Sequence, residues 1–232
     1  MAVSAGTVCS AAPIPTNDMS TPPQPPFKAR GLLLRPALAA PAGRYAAMAA
    51  APHTAVDGSM RWDKRLKSSH RFTIAAEAGP LTLTVPVAKP REYHSATLDS
   101  VTVSSHGNWW RLHLTALESA YGRTPFFEFY IDRFRPLLSA ETVGRSLTWL
   151  TAAWDSVICP ILHLPVPVSV DCCPDDTELW DDCRLTEPKV DLPSYWQVRA
   201  SRFGFIPGMS VLDLIFNLGP EAPLYIRPWA RM

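Results

Sequence analysis

Proline limits how long any element of this chain can be. Its ring removes a backbone N–H and fixes one dihedral, so helices and strands tend to stop where it falls. With 24 prolines among 232 residues, the chain is expected to fold into short elements joined by many loops. Pro15, Pro22, Pro23, Pro25 and Pro26 crowd the first stretch among Ser, Thr and Ala. Such a segment cannot bury enough apolar surface to offset the entropy of ordering. Residues 1–28 therefore read as a disordered tail and 29–232 as a single domain.

Between the prolines the hydrophobic period changes along the chain. Leu32 to Leu34 suit a buried strand, Pro36 and Pro41 bracket a turn, Arg44 to Ala50 suit a helix and Thr54 to Val56 a second strand. That order predicts a βαβ-like start. Arg71 to Ala75 and Leu81 to Val87 read as a hairpin turning at Gly79-Pro80, with Leu81, Leu83, Val85 and Val87 on one face. Leu98 to Val103 adds a further strand. From Asn108 the period becomes helical, with Trp109, Leu112, His113, Ala116, Leu117 and Ala120 on one face. Further helices are expected over Phe126 to Leu138 and Ala140 to Ile158. A short strand over Val166 to Val170 and an acidic loop follow. Ser210 then caps a helix ending at Leu218, with Asp213 as its capping-box acid, and a last strand is expected over Leu224 to Arg227. The fold class is mixed α/β, with a largely helical C-terminal half packed on the sheet.

Charge and cysteine usage exclude several functions. The 22 basic and 21 acidic side chains nearly cancel, so no positive field favours nucleic acid. The apolar stretch from Leu147 to Leu164 is interrupted by Asp155, Pro160 and His163, which argues against a membrane span. The N-terminus lacks the basic start and apolar block of an export signal, so a cytoplasmic protein with reduced thiols is expected. Cys172, Cys173 and Cys183 with His163 do not have zinc-ligand spacing, and no metal is expected. There is no glycine-rich phosphate loop, dinucleotide fingerprint or nucleophile elbow. Cys159 follows an apolar helix and reads as a structural thiol.

Three ordered stretches carry a family resemblance. Gly107-Asn108-Trp109 is followed by His113, Tyr121 and Thr124-Pro125-Phe126-Phe127-Glu128. Tyr195 and Gln197-Val198 precede Phe203-Gly204-Phe205-Ile206-Pro207. Ser210, Asp213-Leu214 and Phe216-Asn217 close on Gly219-Pro220-Glu221. Together with the Leu83-Thr84-Val85-Pro86-Val87 strand, the set resembles the WbqC-like protein family over nearly everything but the tail. His70-Arg71 stands where that family usually has Asn-Arg. The resemblance implies a place in bacterial surface-polysaccharide or O-antigen biosynthesis and transfer of an acyl, aminoacyl or glycosyl group. The implied partner is a small-molecule or sugar-linked substrate, and the resemblance implies no particular cofactor or oligomeric state. The alternative is a non-catalytic binding or scaffold protein for a glycan-biosynthesis partner.

Nine residues are candidates for the site. His113 is either a general base on an apolar helical face or a core histidine satisfied by a backbone carbonyl. Glu128 is either an acid/base group or a carboxylate stabilised at a helix N-terminus. Arg71 at the opening of the hairpin strand either clamps phosphate or carboxylate or pairs with an exposed acid such as Glu77, with His70 beside it. Asn108, Trp109, Tyr121, Asn217 and Glu221 complete the expected substrate contacts.

Overall fold

The computed structural model describes residues 31–88, 90, 95–170, 180–188, 190 and 192–227; the expected tail and Cys172 and Cys173 lie outside them. β1 (Gly31–Leu34), α1 (Ala42–Ala50) and β2 (Thr54–Asp57) make the expected crossover, with Leu32 opposite Thr54 and Leu34 opposite Val56 in parallel. Two further strands extend the sheet in parallel. β7 (Val168–Val170) pairs with β2 and β8 (Trp180–Cys183) with β1, giving the order β7-β2-β1-β8. β8 corrects the expectation of an acidic loop throughout that region. Asp181 and Asp182 hide it from any apolar pattern, and the ladder with the buried β1 is what holds it extended.

β3 (Arg71–Ala76) and β4 (Gly79–Thr84) form the expected hairpin, but Gly79 and Pro80 lie inside β4, opposite Ala76 and Ala75. The turn therefore sits at Glu77 and Ala78. Pro86 interrupts the second strand, and β5 (Val87–Ala88) pairs instead with β6 (Thr102–Val103), the only ladder residues of the strand expected over Leu98 to Val103.

The helical half follows as α2 (Trp109–Tyr121), α3 (Phe127–Phe134), α4 (Leu147–Ile161), α5 (Ala200–Phe203), α6 (Val211–Leu218) and α7 (Ala222–Ile226). Two expectations are corrected here. The helix expected from Ala140 starts only at Leu147. Gly144 adopts φ 82°, and Ser146 caps the new start by accepting from the Trp149 N–H at 3.2 Å. Leu224 to Arg227 is not a strand: Pro223 pre-sets helical geometry in the first turn of α7, and Ala222 and Ile226, four residues apart, are both buried.

Aromatic rings join the layers. Trp154 of α4 lies 5.6 Å from Phe72 of β3 and 5.3 Å from Phe134 of α3. Phe216 of α6 meets Phe127 at 5.0 Å and Tyr121 at 5.3 Å. Each such ring contributes roughly 1.5–3 kcal/mol by leaving water. Among the described residues, no helix is long and apolar enough to cross a membrane.

Candidate functional site

The open end of the β3–β4 hairpin gathers the basic candidates. Arg71, first in β3, pairs with Thr84, last in β4, and the His70 carbonyl accepts from the Val85 N–H at 2.9 Å. The chain from β2 brings Trp62 and Lys64 to the same place. With Pro86 and Val87 these residues line a cleft of about 350 Å³. The Trp62 ring lies 5.1 Å from that of His70. Arg71 is half-buried, and its Nε is enclosed without a hydrogen-bond partner. None of the described lining residues is an acid. A guanidinium with an unpaired Nε beside a tryptophan fits a ligand that carries phosphate or carboxylate.

His113 stands behind this cleft. Its Nε2 lies 3.2 Å from the Thr84 carbonyl oxygen, and its ring packs 5.1 Å from Trp109 and 5.8 Å from Phe72. Only 4% of the residue is exposed. Burial lowers its pKa to about 4, against a smaller upward pull from the Thr84 hydrogen bond. The imidazole is therefore neutral at pH 7. With Nε2–H donated to Thr84, Nδ1 is unprotonated, and it has no hydrogen-bond partner.

The other candidates are dispersed. Trp109 is buried and donates its indole N–H to the Ser104 carbonyl at 3.0 Å. Asn108 is exposed in a left-handed conformation, φ 46°, at the start of α2. Glu128 is exposed in the first turn of α3, and Glu221 is exposed after α6. Neither acid lines the cleft.

Tyr121 and Asn217 belong to a second polar centre, built around Asp213. Asp213 is not a capping-box acid; Ser210 alone caps α6, its hydroxyl accepting from the Leu212 N–H at 3.3 Å. The Asp213 carboxylate, 1% exposed, accepts instead from the Tyr195 hydroxyl at 2.5 Å and the Gln197 amide at 2.7 Å. Asn217 donates to the Asp213 carbonyl at 2.7 Å and accepts from the Val198 N–H at 3.0 Å. The Tyr121 hydroxyl accepts from the Ala75 N–H at 3.0 Å. Burial raises the pKa of Asp213, opposed by Tyr195, Gln197, Tyr121 and Asn217. These bonds tie the segment from Tyr195 to Ile206 onto α6 and β3. Motif order marked the residues in the sequence, but their convergence on one acid needed the fold. Trp62 and Lys64 were missed because a loop between two strands has no period to read.

Two relationships place the chain among known proteins. The profile of the WbqC-like protein family matches residues 43–175. An uncharacterised protein of Mycobacterium tuberculosis (strain ATCC 25618 / H37Rv), Rv1507c, is 23% identical over 189 residues, covering 68% of this chain and 80% of its own. No solved structure matches.

Proposed function

The chain belongs to the WbqC-like protein family, and from that premise we propose that it is a cytoplasmic transferase of bacterial surface-polysaccharide or O-antigen biosynthesis. It moves an acyl, aminoacyl or glycosyl group from an anionic donor bound at the open end of the hairpin. The observation that carries this reading is the cleft in which Arg71 presents a guanidinium Nε without a hydrogen-bond partner beside Trp62. Arg71 holds the phosphate or carboxylate of the donor, and Trp62 supplies an apolar face for its planar or sugar portion. A base works best with a pKa near the working pH, and at about 4 His113 is a poor one. We therefore assign His113 to positioning, holding the Thr84 carbonyl and through that strand the place of Arg71.

The test is a thermal-shift and calorimetric screen of nucleotide-sugars and acyl or aminoacyl phosphates, run on the wild type and Arg71→Gln. A donor should raise the melting temperature of the wild type, and the variant should bind it about tenfold or more weakly. Equal binding by the two proteins would remove the cleft from the mechanism. A second reading, the non-catalytic glycan-intermediate binder, is favoured by the position of Glu128, exposed and outside the cleft. Donor binding without transfer to any sugar acceptor in single-turnover assays would select it.

A further inference from the structure

A second cavity sits where the parallel sheet changes direction. From β1 the chain runs outward to β2 and β7, then returns across the sheet to β8 on the other side of β1. Ligands of open α/β sheets bind outside the carboxyl ends of the strands at such a reversal, because the two connections leave in opposite directions and open a crevice between them. The segments that follow β1 and β8 enclose a cavity of about 400 Å³ here. It shares no lining residue with the hairpin cleft.

Its walls are largely apolar. Leu192, Phe205 and Met209 contribute, together with Tyr195, whose ring stands 5.1 Å from that of Phe205. The Tyr195 hydroxyl is committed to Asp213, which leaves its ring to face the cavity. The charged end is formed by Arg44, 2% exposed, and Glu187. Glu187 is shared: Arg35 holds one oxygen at 2.8 Å, while Arg44 reaches the other only at 3.4 Å. Arg44 Nη2 donates to the Arg35 carbonyl at 2.7 Å, and its Nε has no partner. Among the described residues, the two guanidinium groups thus share the Glu187 carboxylate in their ion pairs. Asp155 also acts on Arg44, but burial, the largest influence on it, raises its pKa and weakens that compensation. The first turn of α1 adds positive potential at this end: its N-cap is Pro41, which provides no side-chain acceptor, and the turn itself contains no acid. Apolar walls with one buried guanidinium whose Nε lacks a partner are the pattern of a small-molecule site with a single orienting group.

We propose that this crevice binds a small organic carboxylate, its carboxylate at Arg44 and the start of α1 and its apolar body against Tyr195, Phe205, Leu192 and Met209. The site is independent of the hairpin cleft and does not rest on the transferase reading.

Calorimetry on the full chain tests it with hexanoate and benzoate against their uncharged amides. The acids should bind about tenfold or more tightly than hexanamide and benzamide, as a charge-assisted contact requires. Leu192→Glu places a like charge at a half-exposed wall position and should weaken acid binding to a similar extent, while Glu187→Gln removes the competing carboxylate and should strengthen it. Arg71→Gln should leave it unchanged. Amides that bind as well as the acids would overturn the proposal, as would no acid binding at millimolar concentration or acid affinity indifferent to Leu192→Glu. Loss of acid binding in Arg71→Gln would transfer the effect to the hairpin cleft and overturn it equally.

Discussion

An imidazole packed between Phe72 and Trp109 stabilises the fold only while it is uncharged. Its pKa of about 4 lies below the ordinary value of 6.5, so between these values the unfolded chain binds a proton that the folded chain excludes. Stability from this group is thus fully present above pH 6.5 and is lost as the pH falls toward 4; by linkage the whole window is worth about 3 kcal/mol. Asp213 and Asp155, with raised pKa values, have the opposite sign, since the folded chain holds their protons more tightly and their contribution falls as the pH rises above 3.8. The difference between wild type and variant isolates the histidine. His113→Gln is expected to cost about 1–3 kcal/mol at pH 7 through lost packing and an ill-paired polar group. It should also flatten the fall in stability from pH 6.5 to 4. Denaturant melts across that range measure both, and an unaltered acid limb would show that His113 is not the neutral group described. The helical period announced that His113 faces inward. Only its neighbours distinguish a base from a buried, neutral ring.

Ser210 shows how one residue ties elements together. Its hydroxyl accepts from the Leu212 N–H at the start of α6 and donates to the Ala39 carbonyl at 2.7 Å, while its own N–H donates to the Thr73 carbonyl of β3 at 2.8 Å. Ser210→Ala removes the cap, worth about 1 kcal/mol, and strands a buried carbonyl at a cost of about 1 kcal/mol more. A lower urea midpoint with an unchanged slope, equivalent to a loss of about 2 kcal/mol, is expected; an unmoved midpoint would deny the cap. The cap was legible because a serine before an apolar helix has few other uses. Asp213, three residues on, has the same local signature as a capping-box acid, yet Tyr195 and Gln197 draw its carboxylate inward. Local pattern cannot weigh a partner eighteen residues away.

For the whole molecule, the buried cluster runs from Leu32 of β1 to Ile226 of α7, and we propose that residues 29–232 form the folding unit. Deleting residues 1–26 is then expected to leave the melting temperature nearly unchanged, since so proline-rich a segment brings little to a core. A drop of several degrees in calorimetry would place the boundary further toward the N-terminus. What the sequence determined by itself is whatever neighbours in the chain decide: the βαβ start, the hairpin, the face of α2, the cap of α6 and the family. Periodicity, turn residues and caps act over a few positions, so they can be read without knowing the fold. The tertiary structure alone decided that an acidic stretch completes a parallel sheet beside β1. It decided as well that Arg71 and Trp62 meet at one cleft, and that Arg35 and Arg44 share the Glu187 carboxylate. Each of these depends on groups distant in sequence meeting in a poorly solvated space, where burial and pairing set the energy, and no local pattern encodes that meeting.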